Sequence, residues 1–520
     1  MENIEEMPIP HDHNVLESEI QSILDYNKWD VIATYKFYLV TIGETEHPLY
    51  KGIDKIQLRK DIIKEFDIKC INYNDVKIGD EINKFKYCQL SGINKKELPK
   101  PNKQIKDFKF KDCFPEYMEF QTVEFRNFVN AFANLTVKLK KETVKDKQEF
   151  RFTFNGTTYV IARGGIHSED KPRIVKPLEN EILRDADIGS QYPNSIRKRK
   201  LFPVHLGENW LSGYTSIIQD RLSAKKKYKE TKEPKYQAIQ EAYKLSLNGG
   251  GYGKLGEESS WQYSPFSTMC VTIGNQIEIL MLIESLEING IHVISANTDG
   301  IVCLFDKSKE ELYYKLCKEW EIKVGNADLG QLEYADYKLL VQTSVNSYLA
   351  IKTNGEVKKK SEFVTDFELH KNKSARIIPL ALENYFVNGI LVTDTILNHK
   401  NIYDFCLGTK SIGTNRLIHL EPIKGTEIKL QKINRYYVST NGWHLLKRLK
   451  PLENKKFSRQ LDIFGNENDG TRESEIEAGW LTTIYNKHVE KPIQQYNINY
   501  NYYIEGAQKI IDKIESTLKN

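Results

Sequence analysis

Several familiar signals are missing from this chain. The seven cysteines, at 70, 88, 113, 270, 303, 317 and 406, are odd in number, scattered and contain no C-x-x-C pair. That usage argues against structural zinc and a disulfide framework and points to a reducing compartment. No apolar run reaches the roughly 18 residues of a membrane span. The acidic start, Met1-Glu-Asn-Ile-Glu-Glu6, lacks the pattern of a signal peptide. No repeat of about 20–50 residues is visible, which excludes solenoids and propellers. Net charge is only +4, so the whole-molecule field does not mark a nucleic-acid binder.

What is present is a long chain of mixed composition. Its 520 residues exceed one hydrophobic core and imply two to four domains. Hydrophobic residues at 40% and charged residues at 28% describe a globular rather than a disordered chain. The basic residues are clustered at Lys198–Lys200, Lys225–Lys227, Lys358–Lys360 and Lys447-Arg448 with Lys450. Such runs are ordinarily solvated faces; beside a catalytic cleft they would follow a phosphate backbone.

One stretch organises the rest. Ser295-Ala-Asn-Thr-Asp-Gly300 lies between the apolar runs Ile291–Ile294 and Ile301–Phe305. The runs are β-branched and the intervening residues form turns, so a hairpin with Asp299 at its tip is expected. By itself such a carboxylate is a turn residue. A second acid changes its weight. Ile182–Asp187 reads as a short strand ending in an acid, followed by turn residues and Tyr192-Pro193, where Pro193 suits the first turn of a helix. A carboxylate before a helix N-terminus is a good place for a divalent cation and its phosphate.

Between the two acids, residues 213–254 read as two helices broken at Lys229–Pro234. Arg221 and Lys225 share one face of the first helix, Lys244 and Asn248 one face of the second, each spaced i, i+4. The second ends in Asn248-Gly-Gly-Gly-Tyr252-Gly253; three consecutive glycines should end the helix and bring backbone close to a neighbour. Phe150, Phe152 and Phe154 alternate as in a strand, and Gly164-Gly165 follow. A long apolar helix is expected over 262–288, a polar one over 307–322 and a terminal one over 505–518. Residues 46–150 read as a connecting α+β region with its own small core and no catalytic pattern. Near the start, Tyr26 and Asp30 share a helix face after Pro8-Ile-Pro10. Two carboxylates, a basic helix face and a Tyr at a strand-to-helix turn together suit two-metal phosphoryl transfer.

In order and spacing these residues resemble a family B DNA polymerase of the compact phage kind. Asp187-x-x-Ser190-Gln-Tyr192-Pro193 is similar to that family's D-x-x-S-L-Y-P, with Gln for Leu. Lys244-x-x-x-Asn248 with Tyr252-Gly253 resembles K-x-x-x-N-S-x-Y-G, and Asn297-Thr298-Asp299 resembles D-T-D. Gly164-Gly165 match the double glycine ahead of the first signature. The resemblance covers 150–365 most strongly. It implies an α+β right-hand fold: palm at 151–212 and 255–365, short two-helix fingers at 213–254, and thumb and C-terminal region at 366–520. It implies catalytic, metal-bridging Asp187 and Asp299 with the Ile188 carbonyl as a further ligand. Tyr192 would lie under the incoming sugar, Arg221, Lys225 and Lys244 on the triphosphate, supported by Asn248. Gly164, Gly165, Thr298, Tyr348 and Lys360 would meet DNA. The implied cofactor is a pair of Mg²⁺ ions, with Mn²⁺ as a substitute, and the implied partners are primer-template DNA and dNTPs, with no membrane. A phage-encoded enzyme would work in the cytoplasm of an infected bacterium.

Four departures qualify the resemblance. Asn297 replaces the first acid of D-T-D and adds no negative charge. The Asn248–Gly253 segment is one residue longer than N-S-x-Y-G, which unsettles the role of Tyr252. The basic residue expected ahead of Tyr348 is missing, since Asn346-Ser347 stand there. Tyr26-x-x-x-Asp30 resembles the last proofreading-exonuclease motif, but the acids of the first two would lie upstream of Met1. Residues 1–45 thus read as an exonuclease remnant on the C-terminal piece of a split enzyme, its partner acids on a separate polypeptide; a lineage without proofreading is the competing account. Lys244 follows Asp187 by 57 positions and Asp299 follows Lys244 by 55, leaving no room for the insertions of protein-primed members, so an ordinary nucleic-acid primer is expected. A silent polymerase-like DNA-binding or assembly subunit is the alternative function. An RNA-synthesising enzyme is a weaker one, against which the Tyr192 ring argues.

Overall fold

A computed structural model describes residues 3–4, 6–7, 9, 13–102, 107–139, 148–368, 371, 374–413, 415–449 and 472–516. Pro8, Pro10, Lys450 and Leu518 lie outside them. The chain divides into two compact units, residues 54–358 and residues 1–53 with 359–520.

The 54–358 unit is built on an antiparallel sheet. A separate three-stranded meander comes first: β1 (Glu149–Phe154), β2 (Thr157–Ala162) and β3 (Ile166–Ser168). The main sheet then takes β4 (Arg173–Val175), β5 (Glu181–Ile188), β6 (His292–Asn297), β7 (Gly300–Asp306), β8 (Leu332–Ser344), β9 (Ser347–Lys352) and β10 (Val357–Lys360). Their order is β10-β9-β8-β5-β7-β6, with β4 also on β8, so β5 is central. The expected hairpin is present as β6 and β7.

The two faces of the sheet differ. Alternation sends Ala186, Ile188, Ile301, Cys303 and Phe305 into a large core beneath helix Pro265–Glu287. Leu183 and Tyr337, with Val302 and Leu304, form a smaller cluster on the opposite face. Asp185 and Asp187 share that second face with Leu183; Asp185 is buried and Asp187 half-buried. Helix Pro265–Glu287 is long and apolar enough to cross a membrane, yet 89% of its apolar window is buried inside the protein. Its buried acids are all partnered. Glu278 receives Lys198 at 2.8 Å and the Tyr117 hydroxyl, Glu284 the Gln121 and Thr122 N–H groups, and Glu287 the Val293 N–H. This pattern is that of a core helix.

Among the described residues, the helices of 46–150 do not form the small core of their own that was expected. Helices Lys55–Phe66 and Asp75–Ser91 share one with helices Glu208–Thr231 and Pro234–Leu247. Phe125, Phe128 and Phe132 of helix Val123–Ala133 instead pack on Phe150, Phe152 and Phe154 of β1, joining the sheet core. The alternating phenylalanines were visible in the sequence; their partners, on a different element, were not. The break between the two expected helices is where it was placed. Lys232 closes the first in the left-handed region at φ 57°, and Pro234 opens the second.

The unit of residues 1–53 and 359–520 holds helix Ile20–Thr41, of which no residue is buried, and helices Ile377–Asn388, Val392–Asn398 and Tyr500–Glu515. Its sheet is organised by the 17-residue strand Ile433–Leu449, which pairs with Leu407–Lys410, Arg416–Leu420, Arg472–Ile476 and Thr482–Ile484. Ile4 donates its N–H to the Asn486 carbonyl at 2.9 Å, anchoring the N-terminal segment within this unit. The chain is thus mixed helix and antiparallel sheet, as the α+β expectation required.

Candidate active site at the end of the central strand

The register of β5 places Asp187 opposite Gly300 on β7 and Glu333 on β8. Asp299 immediately precedes Gly300, so two acids far apart in sequence come to adjacent strands. The Ile188 N–H donates to the Asp299 carbonyl oxygen at 2.7 Å, fastening the hairpin tip to the end of β5. Gly300 is required by this approach, because a Cβ there would overlap the Asp187 carboxylate and lie 3.0 Å from the Ala186 carbonyl oxygen. Asn297 braces the tip: its side-chain oxygen accepts the Asp299 N–H at 3.2 Å. The missing acid is therefore replaced by a turn-forming amide. Gly165 lies against Thr298, whose side chain a Cβ would strike, whereas Gly164 is exposed with open space around it.

Asp187 is half-buried and Asp299 exposed. Burial, followed by the Asp185 and Asp299 charges, raises the Asp187 carboxyl above its ordinary range against the pull of Lys358. The Lys358 ammonium stands 2.9 Å from Asp185 Oδ2 and 3.3 Å from Asp187 Oδ2, and 5.9 Å from the centre of the Tyr348 ring. The Tyr337 hydroxyl also donates to Asp185 Oδ2. Sequence reasoning missed Asp185 and Tyr337 and placed Lys358 only in a charge run. The period-two position of Asp185 relative to Asp187 was the available signal. The cation absent ahead of Tyr348 in the sequence reaches it instead from β10. Lys360, the lysine singled out from that run, belongs to the other unit.

Beyond β5 the backbone turns at Ser190, a non-glycine residue in the left-handed region at φ 53°, and enters helix Gln191–Lys198. Strain of this kind is maintained where surrounding contacts fix it. Here the Arg221 guanidinium donates to Ser190 Oγ at 3.2 Å. Burial lowers the pKa of Arg221, against the nearby Glu241 charge. Lys244 lies 3.8 Å from the same Glu241, so the two helices bring Arg221 and Lys244 to a common acid. Lys225, Lys244 and Asn248 are exposed.

The Tyr192 ring meets that of Tyr252, centroids 4.4 Å apart. Burial, then the Asp299 charge, raises the Tyr192 hydroxyl to about 12, which keeps it neutral. Tyr252 reaches this position through a π-helical turn over Asn248–Tyr252. A π-turn absorbs one extra residue in a helix, which accounts physically for the longer glycine segment. The glycines thus continue the helix as a π-turn rather than ending it. They are needed because helix Asp75–Ser91 crosses at backbone contact: a Cβ on Gly250 would overlap Gly79, and one on Gly79 would lie 2.6 Å from the Leu245 carbonyl oxygen. Asn83 donates to the Gly79 and Ser246 carbonyls at 2.9 and 2.7 Å, and Gln262 donates to the Gly250 carbonyl at 2.7 Å. Gln191, at the place where Leu was expected, is buried with neither amide atom partnered.

Among the described residues no three His, Cys, Asp or Glu side chains are grouped to hold a metal ion. Asp187 and Asp299 offer two hard oxygen donors. That fits Mg²⁺, which keeps waters and takes substrate phosphate oxygens beside one or two carboxylates. Burial first, and then the Asp185 and Asp299 charges, raise Asp187; a bound cation would favour the ionised carboxylate against both.

In the 1–53 and 359–520 unit, Tyr26 and Asp30 lie one turn apart on helix Ile20–Thr41. The Tyr26 hydroxyl is raised by partial burial and then by the Asp30 charge.

No family model and no curated protein matches the chain. Among solved structures it is similar to the family B DNA polymerase from the hyperthermophilic archaeon Pyrobaculum calidifontis, with a TM-score of 0.37 and 12% identity over 75% of this chain and 49% of that one. The chain therefore spans about half the length of that polymerase. A likeness of this depth carries no argument; the side chains above must carry it.

Proposed function

We propose that this chain is a DNA-directed DNA polymerase that extends a nucleic-acid primer with dNTPs. The observation that carries the reading is the juxtaposition of Asp187 and Asp299, tied by the 2.7 Å bond from Ile188 to Asp299, where the exposed hairpin tip meets the end of β5. Asp187 and Asp299 would hold two Mg²⁺ ions, with the Ile188 carbonyl as a further ligand. Bound there, the ions would supply activation of the primer hydroxyl and neutralisation of the departing pyrophosphate. Arg221, Lys225 and Lys244 would draw in the triphosphate, with Asn248 supporting them. The Tyr192–Tyr252 pair would form a wall under the sugar that rejects a 2′-hydroxyl. Gly165 and Thr298 would hold the tip against the primer terminus, while Gly164, Tyr348 and Lys360 would meet DNA.

On this reading residues 151–212 and 255–365 are the palm, 213–254 the fingers and 366–520 the thumb and C-terminal region. Residues 1–45, with Tyr26 and Asp30 one turn apart on helix Ile20–Thr41, would carry the last motif of a proofreading exonuclease.

The reading is tested by primer extension with labelled primer-template, dNTPs and Mg²⁺. Asp299→Ala should abolish extension and leave primer-template binding in a gel-shift assay unchanged. Normal extension by Asp299→Ala would remove the assignment. A second reading, a silent DNA-binding relative, is favoured by Lys358 on Asp187 and by Asn297 at the tip. It is the result if the unaltered chain binds primer-template but extends nothing with Mg²⁺ or Mn²⁺.

A further inference from the structure

Lys358 stands where the chemistry of the site calls for a cation. Its ammonium bridges Asp185 Oδ2 at 2.9 Å and Asp187 Oδ2 at 3.3 Å. The Asp185 side chain is buried and takes a further donor from the Tyr337 hydroxyl, so its charge is held firmly. Asp187 is the more open of the two and makes the longer contact. Asp185 and Asn297 line one small cavity together with Gly300, Tyr337 and Tyr348. A negative charge absent at Asn297 is thus present across the same cavity at Asp185. An ammonium and a divalent cation repel one another strongly at a shared oxygen. Each therefore weakens the other's hold on Asp187 Oδ2.

We propose that Lys358 is a resident counter-cation of the acid site: in the protein without nucleic acid it occupies the Asp187 oxygen that a divalent cation needs, and Asp185 is the carboxylate that keeps it when the ion arrives. The proposal rests on reading Asp187 as a cation ligand. It makes metal binding weak until substrate phosphates add their own oxygens, so that the ion enters with the nucleotide. It also assigns Asp185 and Lys358 as positioning residues rather than catalytic ones.

The test is Mn²⁺ binding by the full chain without DNA or nucleotide, followed by electron paramagnetic resonance of the free ion. Lys358→Met, which removes the competing charge, should bind Mn²⁺ about tenfold more tightly than the unaltered chain, equivalent to about 1.4 kcal/mol. Asp185→Asn leaves Lys358 only Asp187 and should weaken Mn²⁺ binding. The double variant Asp185→Asn/Lys358→Met removes both partners of the buried pair. It should fold even if Lys358→Met does not, and should again bind more tightly than the unaltered chain. Adding Asp187→Ala to either tight-binding variant should abolish the gain. Unchanged or weaker Mn²⁺ binding by the folded Lys358→Met variant, or by the double variant if the single one does not fold, overturns the proposal. So does a gain that survives Asp187→Ala. A chain that shows the predicted Mn²⁺ pattern but extends no primer leaves the counter-cation standing and removes the polymerase reading.

Discussion

Glu81 on helix Asp75–Ser91 and Asp187 at the end of β5 each sit beside a second acid and a lysine, yet their protons behave oppositely. Burial alone would raise the Glu81 carboxyl, but hydrogen bonds from Lys77, Lys95 and Lys84 outweigh it and hold the group at about 2. Neighbouring Asp80 is equally provided for, with Lys84 at 2.8 Å, Trp261 at 2.7 Å and Gln262 at 3.0 Å. Asp187 has one lysine at 3.3 Å and two acids for neighbours, and its carboxyl is raised. The first cluster is finished by the protein itself and fixes the helix that supports the π-turn. The second is left short of positive charge, the condition expected of a site completed by something it binds.

That contrast is sharpened first at the acids. Asp187→Ala and Asp299→Ala should each lower primer extension by on the order of a thousandfold or more, the scale of losing preorganised charge stabilisation. Because the folded state raises the Asp187 pKa, its ionised form opposes folding at neutral pH. Asp187→Asn should therefore leave the thermal midpoint unchanged or higher while abolishing extension; a clear fall in the midpoint would place Asp187 with Glu81 as a structural acid.

Glu81→Gln should do the reverse. It removes the charge-assisted hydrogen bonds that the buried carboxylate accepts from the part-exposed Lys77 and Lys84 and the exposed Lys95, and should cost about 1.5 kcal/mol in denaturant unfolding near pH 7. The folded pKa of about 2 lies below the ordinary value for Glu, so the Glu81 contribution is fully present above about pH 5 and is lost as pH falls toward 2. The difference between Glu81→Gln and the unaltered chain should narrow across that window. A constant difference from pH 7 to 3 would break the comparison.

Smaller effects follow from what lies between the clusters. Gly250→Ala forces a methyl into the Gly79 backbone, should cost about 1–3 kcal/mol, and should separate the Tyr192 and Tyr252 rings, read as a change in tyrosine fluorescence. Gln191→Leu removes a buried amide without partners and should gain about 1 kcal/mol in the same unfolding assay. No gain would mean that Gln191 is satisfied in solution, and the acid site would then be less short of partners than the comparison holds.

Much of this arrangement was legible from residue pattern. The β-branched runs around Ser295–Gly300, the strand before Asp187, the i, i+4 basic pairs and the Pro234 start are local signals, and the elements form where those signals lie. The role of helix Asp75–Ser91 was not legible, because its key residue is a glycine whose meaning depends on Gly250, 171 positions later. Lys358 looked like one member of a solvated run. Its distinction comes from β10 lying next to β9, which brings its ammonium to Tyr348 and the acids.

The sequence by itself determined which side chains were able to do chemistry here and on what kind of element each would stand. Periodicity and turn chemistry act over a few residues and leave direct marks. Tertiary structure alone decided that Asp185 joins Asp187, that Lys358 sits between them, and that a π-turn restores Tyr252 to Tyr192. Those outcomes depend on strand register and helix crossing, where one residue of slip changes the face a side chain occupies, and no local pattern records which register the long-range packing selects.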